Sequence, residues 1–202
     1  MTLIVDLSSN NPMPTDYKAL KGAGVGAIIV KLTQDDNYYF EGAAEIIAKC
    51  GENDIAVGGY HFLNPATPVD AQLAWLHHHQ NGLRRIFVDS ELDDQGRPGA
   101  PTTPGGWYKV LVSTYEMLHG INNFAASGLY SNPEFLTGMV GAPWNYPLWQ
   151  ADYGVSKPDP RWQTLIWQFT DAHVFPGIGA PVDASWWRGN YTPEAVNTFF
   201  HP

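Results

Sequence analysis

Arg85-Ile86-Phe87-Val88-Asp89-Ser90-Glu91-Leu92 carries an apolar run straight into two carboxylates one residue apart. In a strand, residues i and i+2 share a face, so Asp89 and Glu91 project side by side, about 6–7 Å apart along the backbone. Like charges that close push one carboxyl pKa upward. A raised pKa is what lets a general acid hold its proton near neutrality. Taken alone, the segment reads first as a strand that ends in two solvated acids.

The same form recurs along the chain. Leu3-Ile4-Val5 leads to Asp6, Ala27-Ile28-Ile29-Val30 to Lys31 and Thr33, and Ile55-Ala56-Val57-Gly58-Gly59 to Tyr60 and His61. Gly128-Leu129-Tyr130, Pro147-Leu148-Trp149-Gln150, Leu165-Ile166-Trp167-Gln168 and Pro181-Val182-Asp183 follow. Continuous runs rich in Val and Ile predict strands buried on both faces, as in a parallel sheet. Helical patterns separate the early runs. Residues 15–21 open on a capping residue, Thr15, and close on Gly22. Residues 41–49 place Ala44, Ile47 and Ala48 on one stripe, and 69–79 place Leu73, Leu76 and Trp75 on another. Residues 107–118 do the same with Val110, Leu111 and Leu118, after a Pro/Gly-rich loop at 98–106. Strand–helix alternation predicts an α/β fold, with regular βα units first and a nearly all-β second half. Polar residues cluster at the C-terminal ends of the runs, the active end of β/α barrels. An open doubly wound sheet shares that preference, but Leu7-Ser8-Ser9-Asn10 stands where its Gly-rich phosphate loop belongs. A barrel is expected.

Composition narrows the partners. The 202 residues, 44% hydrophobic and 15% charged, hold no linker-like tract, so residues 1–202 are expected to form one globular domain. A net charge of -9 argues against nucleic acid, which needs a surplus of Lys and Arg. The single Cys50 can form no intrachain disulfide. No apolar run reaches the roughly 18 residues of a membrane span, so no membrane insertion is expected. The first strand already begins at Leu3, which predicts no secretory leader. Eight Trp, ten Tyr and nine Phe, concentrated after Trp107, suit stacking on sugar rings but are also ordinary core material.

Asp6, Asp89, Glu91 and Asp183 each end an apolar run, and a barrel would bring all four to one mouth. Converging acids are unfavourable without bases, and the chain has only 11 Lys and Arg in all. Some of these acids could instead cap helices or turns. A metal site built from carboxylates and His61 is a rival. His77-His78-His79 is a poor one, because consecutive helical residues point in different directions; these read as an exposed helix end. No metal or other cofactor is expected. Nucleophilic catalysis lacks a Gly-x-Ser-x-Gly elbow, and Cys50 lies away from the strand ends. Two carboxylates astride a bond in an aromatic cleft is the arrangement of glycoside hydrolysis, which is the leading reading.

In order along the chain, the motifs resemble glycoside hydrolase family 25, the muramidases that include many phage and bacterial lysozymes. Val5-Asp6-Leu7-Ser8 resembles the opening Asp-x-Ser, and 21–31 with Thr33-Gln34 the second strand. Val57-Gly58-Gly59-Tyr60-His61-Phe62 resembles Gly-x-Tyr-His-Phe, and Asp89-Ser90-Glu91 the Asp-x-Glu pair. Tyr130-Ser131-Asn132, Leu148-Trp149-Gln150-Ala151, Trp167-Gln168-Phe169-Thr170 and Val182-Asp183 resemble the later strands. The resemblance implies a single irregular, flattened β/α barrel that cleaves the β-1,4 bond after N-acetylmuramic acid in the peptidoglycan glycan strand. It implies Glu91 as general acid and Asp89 as the neighbour that tunes it and steers the 2-acetamido group, with Asp6 and Asp183 completing an acidic floor. Tyr60, His61, Tyr130, Trp149 and Gln168 are the expected substrate contacts. A monomer acting on the bacterial cell wall is expected, released by a route other than a leader, such as phage lysis. Asp35-Asp36 stand where the family often has Gly, and Tyr39-Phe40-Glu41 where it often has Asp. These departures bear on subsite preference. Ser90, more polar than the usual spacer, is expected to face away from the mouth. Two alternatives stay open: a hydrolase of chitin or another N-acetylated glycan, and a non-catalytic glycan-binding protein.

Overall fold

The computed structural model describes residues 2–91, 104–138, 146–189 and 192–201. Leu92 of the opening stretch and residues 98–103 of the Pro/Gly-rich loop lie outside the described residues. The elements follow as β1 (Leu3–Leu7), α1 (Tyr17–Gly22), β2 (Val25–Gln34), β3 (Tyr38–Tyr39), α2 (Ala43–Glu52), β4 (Ala56–Phe62), α3 (Val69–His79) and β5 (Arg85–Asp89). Then come α4 (Pro104–Ile121), β6 (Ala126–Ser131), α5 (Pro133–Gly138), β7 (Leu148–Ala151), β8 (Thr164–Val174), β9 (Pro181–Trp187) and α6 (Pro193–Phe200).

Eight strands close a ring in the order β1-β2-β4-β5-β6-β7-β8-β9, with β9 returning to β1 and β3 added as a short hairpin partner of β2. Every ring pairing is parallel except those of β9, which runs antiparallel to both β8 and β1. All-parallel pairing therefore holds for seven strands and fails for the last. The link from β8 to β9 is too short for a crossover helix, so the chain can only turn back.

Alternation along each strand divides the core. Outward side chains such as Val5, Ile28, Val57 and Val88 pack under the helices with Leu20, Ile46, Leu76 and Leu118. Inward ones, Ile4, Ala27, Ile29, Phe87, Ile166 and Trp187 among them, fill the lumen. The bottom of the lumen is stoppered by α6, whose Val196 and Phe200 join that inner cluster. Gly58 makes room for it, since a Cβ there would lie 2.8 Å from the Phe200 ring.

Helix boundaries shift for local reasons. The cap of α1 is Asp16, whose carboxylate accepts from the Ala19 amide at 2.9 Å, while Thr15 donates instead to the Gly177 carbonyl. In α2 the buried stripe is Ala43, Ile46 and Cys50 rather than Ala44, Ile47 and Ala48, because the helix begins later and is rotated. The α3 bounds agree with the periodicity, yet its buried face is Val69, Gln72 and Leu76, with Leu73 only partly covered. The short α5 and α6 were not visible as apolar stripes.

Candidate active site

The C-terminal end of β1 places Asp6 beside β9. Antiparallel register pairs Ile4 with Ser185 and Val5 with Ala184, and one more step sets Asp6 opposite Asp183. The reversed strand thus delivers Asp183 to the mouth near its own start. On the other side, β5 ends at Asp89, and ladder bonding continues past it: the Leu63 amide donates to the Asp89 carbonyl at 2.9 Å and the Ser90 amide to the Tyr130 carbonyl at 3.1 Å. Ser90 turns outward, its hydroxyl 2.8 Å from that of Thr114 on α4. This directs Asp89 and half-buried Glu91, its neighbours on either side, toward the lumen.

The four acids share one field. Burial, then the Asp183 charge, holds the Asp6 carboxyl well above its ordinary pKa, and Glu91 adds to the rise. Burial also raises Asp183, while a hydrogen bond from Asp6 works the other way. The two carboxyls therefore resist being ionised together and titrate as a pair. Tyr60 reports the convergence: after burial, the charges of Asp89, Asp6, Asp183 and Glu91 all push its hydroxyl upward.

Beneath the acids lies an aromatic floor. The rings of Tyr130 and Trp149 are 4.4 Å apart and those of Tyr60 and Trp149 meet edge-on at 6.2 Å. The Trp149 indole donates to the Ser185 hydroxyl at 3.1 Å. Tyr130 donates to Gln168 Oε1 at 2.8 Å, and Gln168 Nε2 donates to Asp6 Oδ2 at 2.9 Å. At the rim, the Lys31 ammonium donates to Gln34 at 2.7 Å and stands within 6 Å of the Tyr38, Tyr60 and Phe62 ring centroids.

Eight of the nine expected site residues thus meet at one end of the barrel: Asp6, Tyr60, Asp89, Glu91, Tyr130, Trp149, Gln168 and Asp183. His61 does not. It follows Tyr60 and so faces outward, fully buried between Thr33 Oγ1 at 2.8 Å and Gln72 Oε1 of α3 at 3.0 Å. Burial drives its pKa down to about 4. It is a neutral pin between strand and helix rather than a substrate contact. His77 and His78 are exposed, and His79 stacks on Tyr39 at 4.4 Å. Among the described residues, no group of three or more His, Cys, Asp or Glu is arranged to hold a metal ion.

Three site residues escaped the sequence reading. Lys31 was visible in principle, two positions beyond lumen-facing Ile29. Ser185 lies two beyond Asp183 on an expected strand. Tyr153 had no signal, since it belongs to the loop after β7 and reaches the site through tertiary contacts, donating to Gln168 Oε1 at 2.6 Å.

The profile of glycosyl hydrolases family 25 matches residues 5–178. No curated protein matches the sequence. Among solved structures, the bacterial lysozyme of Streptomyces coelicolor is similar at 20% identity, a TM-score of 0.81 and 98% of each chain. A family 25 lysozyme from Aspergillus fumigatus gives 16%, 0.82 and 98% of each chain. The catalytic domain of an endolysin from bacteriophage P40 of Listeria monocytogenes gives 18% and 0.70 over 100% of this chain and 98% of that one. At such identities the structural likeness speaks for the barrel alone, whereas the profile spans most of the chain, from β1 through β8. The chain belongs to glycosyl hydrolases family 25.

Proposed function

We propose that this glycoside hydrolase is an N-acetylmuramidase, a lysozyme that cuts the β-1,4 bond between N-acetylmuramic acid and N-acetylglucosamine in peptidoglycan, with Glu91 as the general acid. The carrying observation is the single aromatic-floored mouth that gathers Asp6, Asp89, Glu91 and Asp183 on a family 25 barrel. Glycosidic cleavage needs a proton for the leaving oxygen and negative charge beside the oxocarbenium-like centre. Glu91 stands at the rim, half-buried and open to a glycan lying across the strand ends. Asp89, more deeply buried, orients the substrate's 2-acetamido group and sets a second negative charge beside Glu91. Asp6 and Asp183 line the opposite wall, and Tyr60, Tyr130 and Trp149 form the surface against which the sugar ring rests.

Residues 1–202 serve as the catalytic domain, and one chain supplies all four acids, so a monomer suffices for the reaction. A bacterial wall substrate fits the lysozymes and the phage endolysin domain that share the fold. The test is Glu91→Gln. Clearing of a peptidoglycan suspension is expected to fall by about 10²–10⁴-fold, the usual worth of a positioned general acid, with an unchanged circular-dichroism spectrum. Retained clearing would sink the assignment.

A further inference from the structure

Gln168 stands at the junction of three hydrogen bonds. Its Oε1 accepts from Tyr130 at 2.8 Å and Tyr153 at 2.6 Å, and its Nε2 donates to Asp6 Oδ2 at 2.9 Å. With its oxygen turned to the two phenols, the amide presents an N–H to Asp6. An oxygen that accepts this N–H is a poor place for a proton, so the bond favours the ionised form of Asp6. The loop bearing Tyr153 is fastened to the same strand. The Asp152 amide donates to the Gln168 carbonyl at 3.0 Å, and the Trp167 indole donates to the Asp152 carbonyl at 2.9 Å. The Gln168 side chain is almost wholly buried, whereas Tyr153 is 44% exposed at the rim.

We propose that Gln168 and Tyr153 are positioning residues that act through Asp6: the clamp reserves Asp6 Oδ2 as an acceptor and biases the proton held by the Asp6–Asp183 pair away from Asp6, toward Asp183. The inference rests on reading this mouth as the catalytic site. No atom is transferred in it; one proton stays within the Asp6–Asp183 pair. The groups facing Asp6 are Asp183 from β9, Glu91 beyond the end of β5, Tyr60 of β4, Tyr130 of β6 and Tyr153 after β7, with Asp171 of β8 acting on Asp183 and with Asp89 and Lys31 against Tyr60. Among these, the Gln168 amide opposes the rise of the Asp6 pKa. Removing it must therefore strengthen proton binding, and removing a hydroxyl that polarises the amide must do so more weakly.

The experiment is a carbon-13 carboxyl NMR titration of aspartate-labelled protein, with Asp6 assigned through Asp6→Asn. Gln168→Met is expected to tighten proton binding at Asp6 about tenfold, the order of one charge-assisted hydrogen bond. Tyr153→Phe should tighten it about two- to threefold. The limb of the pH–rate profile that follows this pair moves toward higher pH in the same rank order. Tyr153→Phe removes one oxygen at a partly exposed site, so it stays informative if Gln168→Met does not fold. An unmoved or lowered Asp6 midpoint in Tyr153→Phe, or a loss of thermal stability with an unchanged profile, overturns the proposal. The titration needs no turnover, so it is read independently of whether Glu91→Gln abolishes cleavage.

Discussion

At the residue scale, Asp6 and His61 oppose each other as pH changes. The folded pKa of Asp6 is raised, chiefly by burial. Its contribution is therefore fully present below the ordinary carboxyl pKa and is lost as pH rises through the folded value. At pH 7 the buried acid is a liability retained for function. Asp6→Asn is expected to unfold at a higher temperature than the wild type at pH 7, with the gap closing toward pH 4, in paired melting curves. His61 has the opposite slope. Its pKa falls from 6.5 to about 4 on folding, so stability present above 6.5 drains away as pH drops toward 4, by up to about 3 kcal/mol. Urea unfolding should show wild type well above His61→Gln at pH 7, since the variant disturbs the Thr33 and Gln72 bonds, and the difference should shrink by pH 4.5. A constant difference across that range would mean that His61 titrates normally.

At the element scale, α6 stabilises the barrel, whereas the loop after β7 acts on the site. Phe200 is fully buried against Gly58 at the base of the lumen, and Phe199 lies over the Arg85 guanidinium at 4.1 Å. Arg85 Nε also donates to the Phe199 carbonyl at 3.0 Å, tying the last turn of α6 to the start of β5. Phe200→Ala is expected to cost about 3–5 kcal/mol, read as a lowered urea midpoint, with kcat and its pH profile unchanged in the protein that remains folded. A changed profile would mean that the plug reaches the acids. The loop after β7 carries Tyr153 and is expected to do the reverse, altering the profile more than the stability. The contrast follows from position: conserving packing at the barrel base, placing chemistry at the strand ends. Sequence patterning showed the first kind of element poorly. α6 is short, and its role depends on a glycine in β4 that leaves space for a ring 142 positions later, a relation with no local periodicity.

At the scale of the whole molecule, the apolar runs were legible because a barrel strand is buried on both faces, and Asp6, Asp89 and Glu91 were legible because they end such runs. Asp183 was expected in the right place through a wrong direction of travel. Reading Pro181-Val182-Asp183 as a parallel run ending in an acid gives the same mouth as the antiparallel β9, which begins there. His61 shows the limit of motif reading. It stands between Tyr60 and Phe62 in a motif that resembles its family, yet strand alternation sends it to the helix side. Tyr153 lay beyond reach because loop geometry is set by bonds to Gln168 and Trp167, not by its neighbours in sequence. Closure of the ring by β9 is what joins the two walls of acids, and the central claim is that this joint mouth is a muramidase site with Glu91 as its acid. The most direct measurement is mass spectrometry of borohydride-reduced products from purified peptidoglycan, digested in parallel by wild type and Glu91→Gln. New reducing ends carried on N-acetylmuramic acid, formed by wild type and absent from the variant, are the predicted result. New ends on N-acetylglucosamine, or unchanged products from Glu91→Gln, would contradict it.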